Sequence, residues 1–291
     1  MAHVWTCSGL RWTPDGPALV WDGGRRSALP WGKRVAFAVA DGSARRCVGA
    51  RGHACPLRAT VPGRSTGARC EECARLDRAH SVAADTIADD PRPYRVYLAW
   101  FGPGMVKVGI TAVERGSARL LEQGAVCFSW LGTGPLMAAR RTEELLRAAL
   151  QVPDRIPYAE KRAVRAGLPR TEGERAVEVR ELHALAVALD GWPESLTREP
   201  CQPVDHTVEF GLSGVPEAAV GDVVQLVPGG AVSGELVAAA GPDLHLAVDG
   251  RGVVVLDTRL MTGWELAPLP SEAGVFTVPV REFRREQDGL F

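Results

Sequence analysis

Lysine is scarce in this chain. Among 34 Lys plus Arg residues, only Lys33, Lys107 and Lys161 are lysine. A sequence that writes its cations as arginine and still keeps a lysine beside Gly109 marks that position for chemistry rather than solubility. Net charge is nearly absent as well, at -1. That excludes the chain-wide positive field of a strongly basic nucleic-acid binder and leaves only local patches for such contacts. Long apolar runs are missing: nothing approaches the roughly 18 residues of a membrane span. The opening Met1-Ala-His-Val-Trp-Thr-Cys7 lacks a basic start followed by an apolar core, so a soluble, cytoplasmic protein without a membrane partner is expected. Heptads, solenoid repeats and low-complexity tracts are also absent. The seven cysteines are odd in number, and four of them cluster, which in a reducing compartment favours metal binding over disulfides.

What is present divides the chain into modules. Residues 1–46 alternate apolar and polar character between turn signals such as Pro14-Asp15-Gly16 and Asp22-Gly23-Gly24, predicting a small antiparallel β region. Residues 47–90 shift to Arg, Gly, Cys and Ala, a composition that builds no core without a staple. After Asp89-Asp90-Pro91, residues 91–192 carry strand, turn, strand, helix, strand and helix patterns: Tyr94 to Phe101, Met105 to Ile110, Ala112 to Gln123, Ala125 to Leu131 and Leu136 to Gln151. A further helical stretch runs from Glu172 to Leu189. Residues 193–205 form a Pro-rich linker. Valine-rich runs between Gly, Pro and Asp turns over residues 206–291 predict a small β-barrel-like or sandwich domain. The fold class is therefore α+β: a central small mixed sheet with flanking helices, a β and zinc-ribbon region before it and a small β domain after it.

Cys47 and Cys55 are followed by the CxxC pair Cys70 and Cys73. Two thiolates on one tight turn plus a pair from a distal loop complete the tetrahedron that structural Zn²⁺ accepts, and four protein ligands leave no open position for water. His53, two residues before Cys55, is an alternative ligand. Cys7, Cys127 and Cys201 are isolated and expected to pack as small hydrophobes. Around the cluster, Arg51, Arg58, Arg64 and Arg69 have two readings: phosphate contacts that add salt-dependent affinity, or a solvated arginine-rich surface.

In the central module, Tyr97 and Lys107 lie ten residues apart across a Gly/Pro turn, compatible with adjacent antiparallel strands. Arg119 falls on the following helix. Glu143 sits on an amphipathic helix, on a different face from leucines 145, 146 and 150, where a carboxylate suits a hard divalent ion. Each residue alone also has a plain role, such as a Glu143–Arg147 pair at i,i+4.

Val96-Tyr97 followed by Lys107-Val108-Gly109-Ile110-Thr111 resembles the two signature strands of the GIY-YIG nuclease superfamily, in the form where lysine replaces the second tyrosine. Together with Arg119, Glu122-Gln-Gly-Ala125 and the preceding four cysteines, it is similar to an uncharacterised bacterial family that joins a zinc ribbon to a GIY-YIG-like core. The resemblance implies that Tyr97 helps deprotonate water, Glu143 binds Mg²⁺ or Mn²⁺, and Arg119 stabilises phosphorane-like charge. Arg115 competes with Arg119 for that last role. Gly109 would let a phosphate approach the strand. DNA or RNA is the implied substrate, with metal-dependent phosphodiester cleavage as the leading function. A non-catalytic nucleic-acid or ribonucleoprotein adaptor, and a zinc-stapled protein-interaction scaffold, are the alternatives.

Overall fold

Met1–Ala79 and Val215–Phe291 form one unit, and His80–Gly214, inserted between them, form a second. A computed structural model describes residues 4–79, 90–214, 218–270 and 274–283. Part of the expected 47–90 module therefore lies outside the described residues. In chain order the strands and helices begin with β1 (Trp5–Thr13), β2 (Gly16–Trp21), β3 (Arg26–Ala28), β4 (Arg34–Val39) and α1 (Glu71–Ala79). The second unit contains β5 (Pro93–Trp100), β6 (Val106–Ala112), α2 (Ala118–Gln123), β7 (Cys127–Pro135), α3 (Leu136–Leu150), α4 (Tyr158–Val164), α5 (Glu172–Arg175), α6 (Val177–Ala188), β8 (Thr197–Arg198) and β9 (Val204–Asp205). The first unit is completed by β10 (Gly221–Val223), β11 (Ala231–Ala240), β12 (Asp243–Val248), β13 (Gly252–Asp257), β14 (Glu265–Pro268) and β15 (Val280–Glu282). The protein is a mixed α+β fold with two sheets. No helix among the described residues is long and apolar enough to cross a membrane.

The first unit is one sheet in the order β15-β10-β13-β12-β11-β4-β14-β1-β2-β3. Its hydrogen-bonding path is open, so the expected C-terminal barrel does not close. The two β modules expected at residues 1–46 and 206–291 share this sheet: β4 pairs with β11 at Ala38↔Ala231, and β1 meets β14 at Trp5↔Leu266. Alternating burial along β4 places Val35, Phe37 and Val39 in its core, as period-two patterning requires.

In the second unit β5 is central, flanked by β6 and β7, with β8 and β9 on the far side of β7. The stretch expected to be a Pro-rich linker thus supplies two short strands. Because β5 is covered on both faces it is a nearly continuous apolar run rather than an alternating one. Val96, Leu98 and Trp100 pack with Leu136, Ala139 and Leu146 of α3 and Val179 and Ala186 of α6. Tyr97, Ala99 and Phe101 pack on the opposite face with Leu120 of α2, Phe128 and Ile156. The helix expected from Ala112 is shorter. Ala112 still pairs with Tyr94 in the sheet, Val113–Arg115 form a 3-10 turn, and α2 begins at Ala118. Helix α4, which follows Pro157, was not among the expected elements.

Tyr97 and Gly109 face each other across β5 and β6. A Cβ at Gly109 would lie 2.4 Å from Tyr97 Oη and 2.5 Å from Cζ, so this glycine makes room for the phenol. The expected approach of a phosphate at that point is replaced by the ring itself. Gly109→Ala is expected to cost about 1–3 kcal/mol through overpacking, read as a lower urea midpoint at unchanged slope; an unchanged midpoint would show that the ring relocates freely.

Candidate functional site

The structure holds two clusters of chemistry-bearing side chains. The first spans the segment between β4 and α1 and the start of α1, which has little apolar content: Cys47, Cys55, Cys73 and Val61 form its buried apolar cluster, with Cys70, Ala50 and Ala59 packed against them. The four Sγ atoms all lie within 4.8 Å of one another, and Cys55 and Cys70 sulfurs are 3.9 Å apart. Tetrahedral thiolates about 2.3 Å from a zinc ion stand about 3.8 Å from each other, so the spacing fits such an ion. Backbone N–H groups of Gly49 and Cys70 donate to Cys47 Sγ at 3.4 and 3.2 Å. Gly49, at φ +77°, permits the tight turn, since a Cβ there would meet His53 O at 1.8 Å.

The sulfurs behave as a site built for a cation. Cys55 is pulled down to about 7, first by the Ala59 backbone amide. Cys73 is pushed up to about 12, first by burial and then by the three neighbouring sulfurs. Concentrated thiolate charge without a cation is unfavourable, and a divalent ion relieves it. These four cysteines can hold a metal ion such as zinc. His53 is exposed and outside the group. Arg45 fixes the segment's base: almost fully buried, it donates to the carbonyls of Pro62, Ser65, Arg259 and Thr262. Of the surrounding arginines, Arg51, Arg58 and Arg64 are exposed. Arg69 is engaged, with Nε on Gly49 O at 2.9 Å and Nη2 3.3 Å from Asp77.

The second cluster lies in the other unit. Tyr97, 1% exposed, accepts a hydrogen bond from Gln123 Nε2 at 2.9 Å. The Trp130 ring packs edge-on at 6.2 Å. Lys107, paired with Ala99 across the sheet, is on the same face. It is 8% exposed, with Nζ 5.8 Å from the Tyr97 ring centroid and 3.2 Å from Asp154 O. Arg119 on α2 is exposed, and Glu143 on α3 is half-buried.

Electrostatics tie the four together. Burial raises Tyr97 above the usual phenol value, Gln123 and the Arg119 guanidinium pull it down, and Glu143 raises it. Burial brings Lys107 down to about 8, Arg119 pushes the same way, and Glu143 and Asp154 oppose. Burial raises Glu143 above the usual carboxylate range; Lys107 lowers it and Asp154 raises it. Arg119 and Glu143 thus act electrostatically on both Tyr97 and Lys107. Arg115 does not join them: its Nη2 is 2.6 Å from Glu122 Oε2. A groove lined by Arg180, His183, Val187, Arg198 and Cys201 contains none of the four.

Three supporting residues were missed from the sequence. Gln123 holds the Tyr97 oxygen. Lys161, buried, donates to Gln123 O at 3.0 Å with Nζ 3.8 Å from the Phe101 ring and 4.4 Å from the Tyr158 ring. Tyr158 Oη donates to Glu122 O at 3.1 Å. Helix α4 thereby clamps the end of α2. The scarcity of lysine pointed to position 161 as much as to 107.

One protein-family model, described as a protein of unknown function (DUF2797), matches residues 32–266. No curated protein and no solved structure matches the chain.

Proposed function

The chain belongs to the DUF2797 family, and we propose that its inserted unit is a GIY-YIG-like module that binds nucleic acid and cleaves phosphodiesters with the help of a divalent ion. The observation that carries this reading is that Lys107 of β6 stands 5.8 Å from the Tyr97 ring of β5, with Arg119 of α2 and Glu143 of α3 acting electrostatically on both. A phenol, two cations and a carboxylate are the set needed to bind a phosphate and manage charge as it develops.

Arg119, the exposed member, receives the phosphate and offsets the charge of the transition state. Glu143 would hold Mg²⁺ or Mn²⁺; its repulsion with Asp154 is the kind a divalent cation relieves. Such an ion supplies Lewis-acid stabilisation of the phosphoryl and leaving oxygens. Lys107, at about 8, gives up its proton nearest neutrality. As a neutral amine it keeps an N–H for Asp154 O and offers its lone pair to the attacking water. The new bond forms between the water oxygen and phosphorus, the water proton passes to Lys107, and the phosphorus–leaving-oxygen bond breaks, its electron pair going to the leaving oxygen, which takes a proton from solvent. The four-cysteine segment, carrying structural zinc, presents Arg51, Arg58 and Arg64 for backbone contacts.

Incubation of the protein with labelled DNA and RNA pools plus Mg²⁺ or Mn²⁺ tests this. Cleavage by the wild type is expected, and Glu143→Ala is expected to lower it by about 10²-fold or more while binding persists. Binding without cleavage by the wild type would assign the adaptor role instead, a reading favoured by how little of Tyr97 is exposed.

A further inference from the structure

The Tyr97 hydroxyl has an unusual hydrogen-bond balance. A phenol offers one hydrogen and two acceptor positions. Gln123 Nε2 donates to its oxygen at 2.9 Å, and the positive charge of Arg119 acts on the same group. No acceptor among the described residues meets the phenolic hydrogen. An O–H group this buried is left without an acceptor only at a cost of about 1–3 kcal/mol, so the arrangement makes sense when something else supplies the oxygen. Thr111, on the same face of β6 as Lys107 and Gly109, also has a buried hydroxyl with no partner.

We propose that Gln123 is a positioning residue: by donating to Tyr97 Oη it turns the phenolic hydrogen away from α2, so that Tyr97 donates to a phosphoryl oxygen of the substrate instead of taking a proton from water. This rests on the phosphodiester reading above and assigns a role within it. The charged groups around the phenol are consistent with a neutral donor. Arg119 from α2 is the cationic neighbour, Lys107 from β6 is the amine that serves as base once neutral, Glu143 from α3 is the anionic group, and Trp130 of β7 covers the ring edge. Burial favours the protonated phenol over the phenolate. Lys161 and Tyr158 of α4 act one step further back, fixing the backbone that carries Gln123.

The chain has three tyrosines, so ¹³Cζ-tyrosine labelling with Tyr97→Phe as the assignment control isolates the Tyr97 resonance. The probe is a short oligonucleotide without divalent ions, with inorganic phosphate in a parallel titration to separate a nucleic-acid phosphodiester from a free phosphate. Wild type is expected to show a Tyr97 shift on oligonucleotide binding and Gln123→Met a smaller one, since methionine removes the donor that orients the phenolic hydrogen without capturing that hydrogen. Gln123→Glu is expected to lose that shift at pH 7, where its carboxylate takes the hydrogen, and to regain it as falling pH protonates the new side chain. With Mg²⁺ present, Gln123→Glu should lower kcat by about 10²-fold, the effect of losing one oriented donor, while KM stays near wild type. A wild-type resonance unmoved by the oligonucleotide, or a response of Gln123→Met or of Gln123→Glu at pH 7 equal to that of wild type, overturns the proposal. A wild-type shift in a protein that cleaves nothing supports the donor role and removes the nuclease reading, so the two can fail separately.

Discussion

Removing the metal from the four-cysteine site is expected to dissolve the structure between β4 and α1. That segment's core is made almost entirely of its ligands, Cys47, Cys55, Cys70 and Cys73, with Val61, Ala50 and Ala59. So few apolar groups contribute far less than the roughly 10–16 kcal/mol apparent binding energy of a structural zinc ion. Purified under reducing conditions, the protein should contain one zinc per chain, and a strong chelator should strip it with loss of hydrogen-exchange protection at Gly49 and Cys70, whose amides donate to Cys47 Sγ. The pH dependence follows from the thiols. Cys55, at about 7, is the readiest to ionise, whereas Cys73, at about 12, is protonated at neutrality without the ion. Binding at pH 7 therefore displaces protons, and affinity falls as pH drops, by about tenfold per unit for each proton displaced. Cys73→Ser should abolish stoichiometric loading. A reduced protein with no bound metal and full protection at both amides would sink this account.

The parts of the fold that could be read from the sequence are those whose evidence is local. Tyr94 to Phe101 announces a buried strand through apolar density, and Leu136 to Leu150 a helix through its periodicity; both are present nearly as expected. The CxxC pair announced the cysteine cluster because ligand spacing on one turn is also a local property. Partner choice in the ten-stranded sheet is not local. β4 pairs with β11 although the whole inserted unit separates them in sequence, and nothing in Arg34–Val39 encodes which distant strand it will join. For the same reason the N-terminal and C-terminal strands looked like separate modules. The two-residue strands β8 and β9 are too short to carry a pattern, so the prolines around them dominated and a linker was expected. At the candidate site, Tyr97 and Lys107 were legible as a pair because hairpin register places them close. Gln123 was not: its role depends on where α2 ends, which Gly124, Lys161 and Tyr158 decide together.

Arg119→Ala is expected to reduce nucleic-acid cleavage by about 10²–10³-fold, the scale of losing a preorganised charged donor, whereas Arg115→Ala should change it by less than about threefold, as befits a surface ion pair worth about 0–1 kcal/mol. The two arginines are four residues apart, and the sequence left them as competitors; the contacts separate them. Arg115 is held by Glu122 at 2.6 Å. Arg119 acts electrostatically on both Tyr97 and Lys107. Arg119→Lys should recover only part of the loss, because an ammonium lacks the planar fork that grips a phosphate and a phenol together. The pH profile gives a second readout. Arg119 helps burial depress Lys107, so its removal raises the Lys107 value from about 8 and moves the ascending limb of the rate profile to higher pH. A general loosening of the fold would lower the rate without moving that limb. If Arg115→Ala proves the more damaging variant, or the limb stays fixed in Arg119→Ala, then Arg119 does not belong to the constellation and Lys107 is not the base that sets the profile.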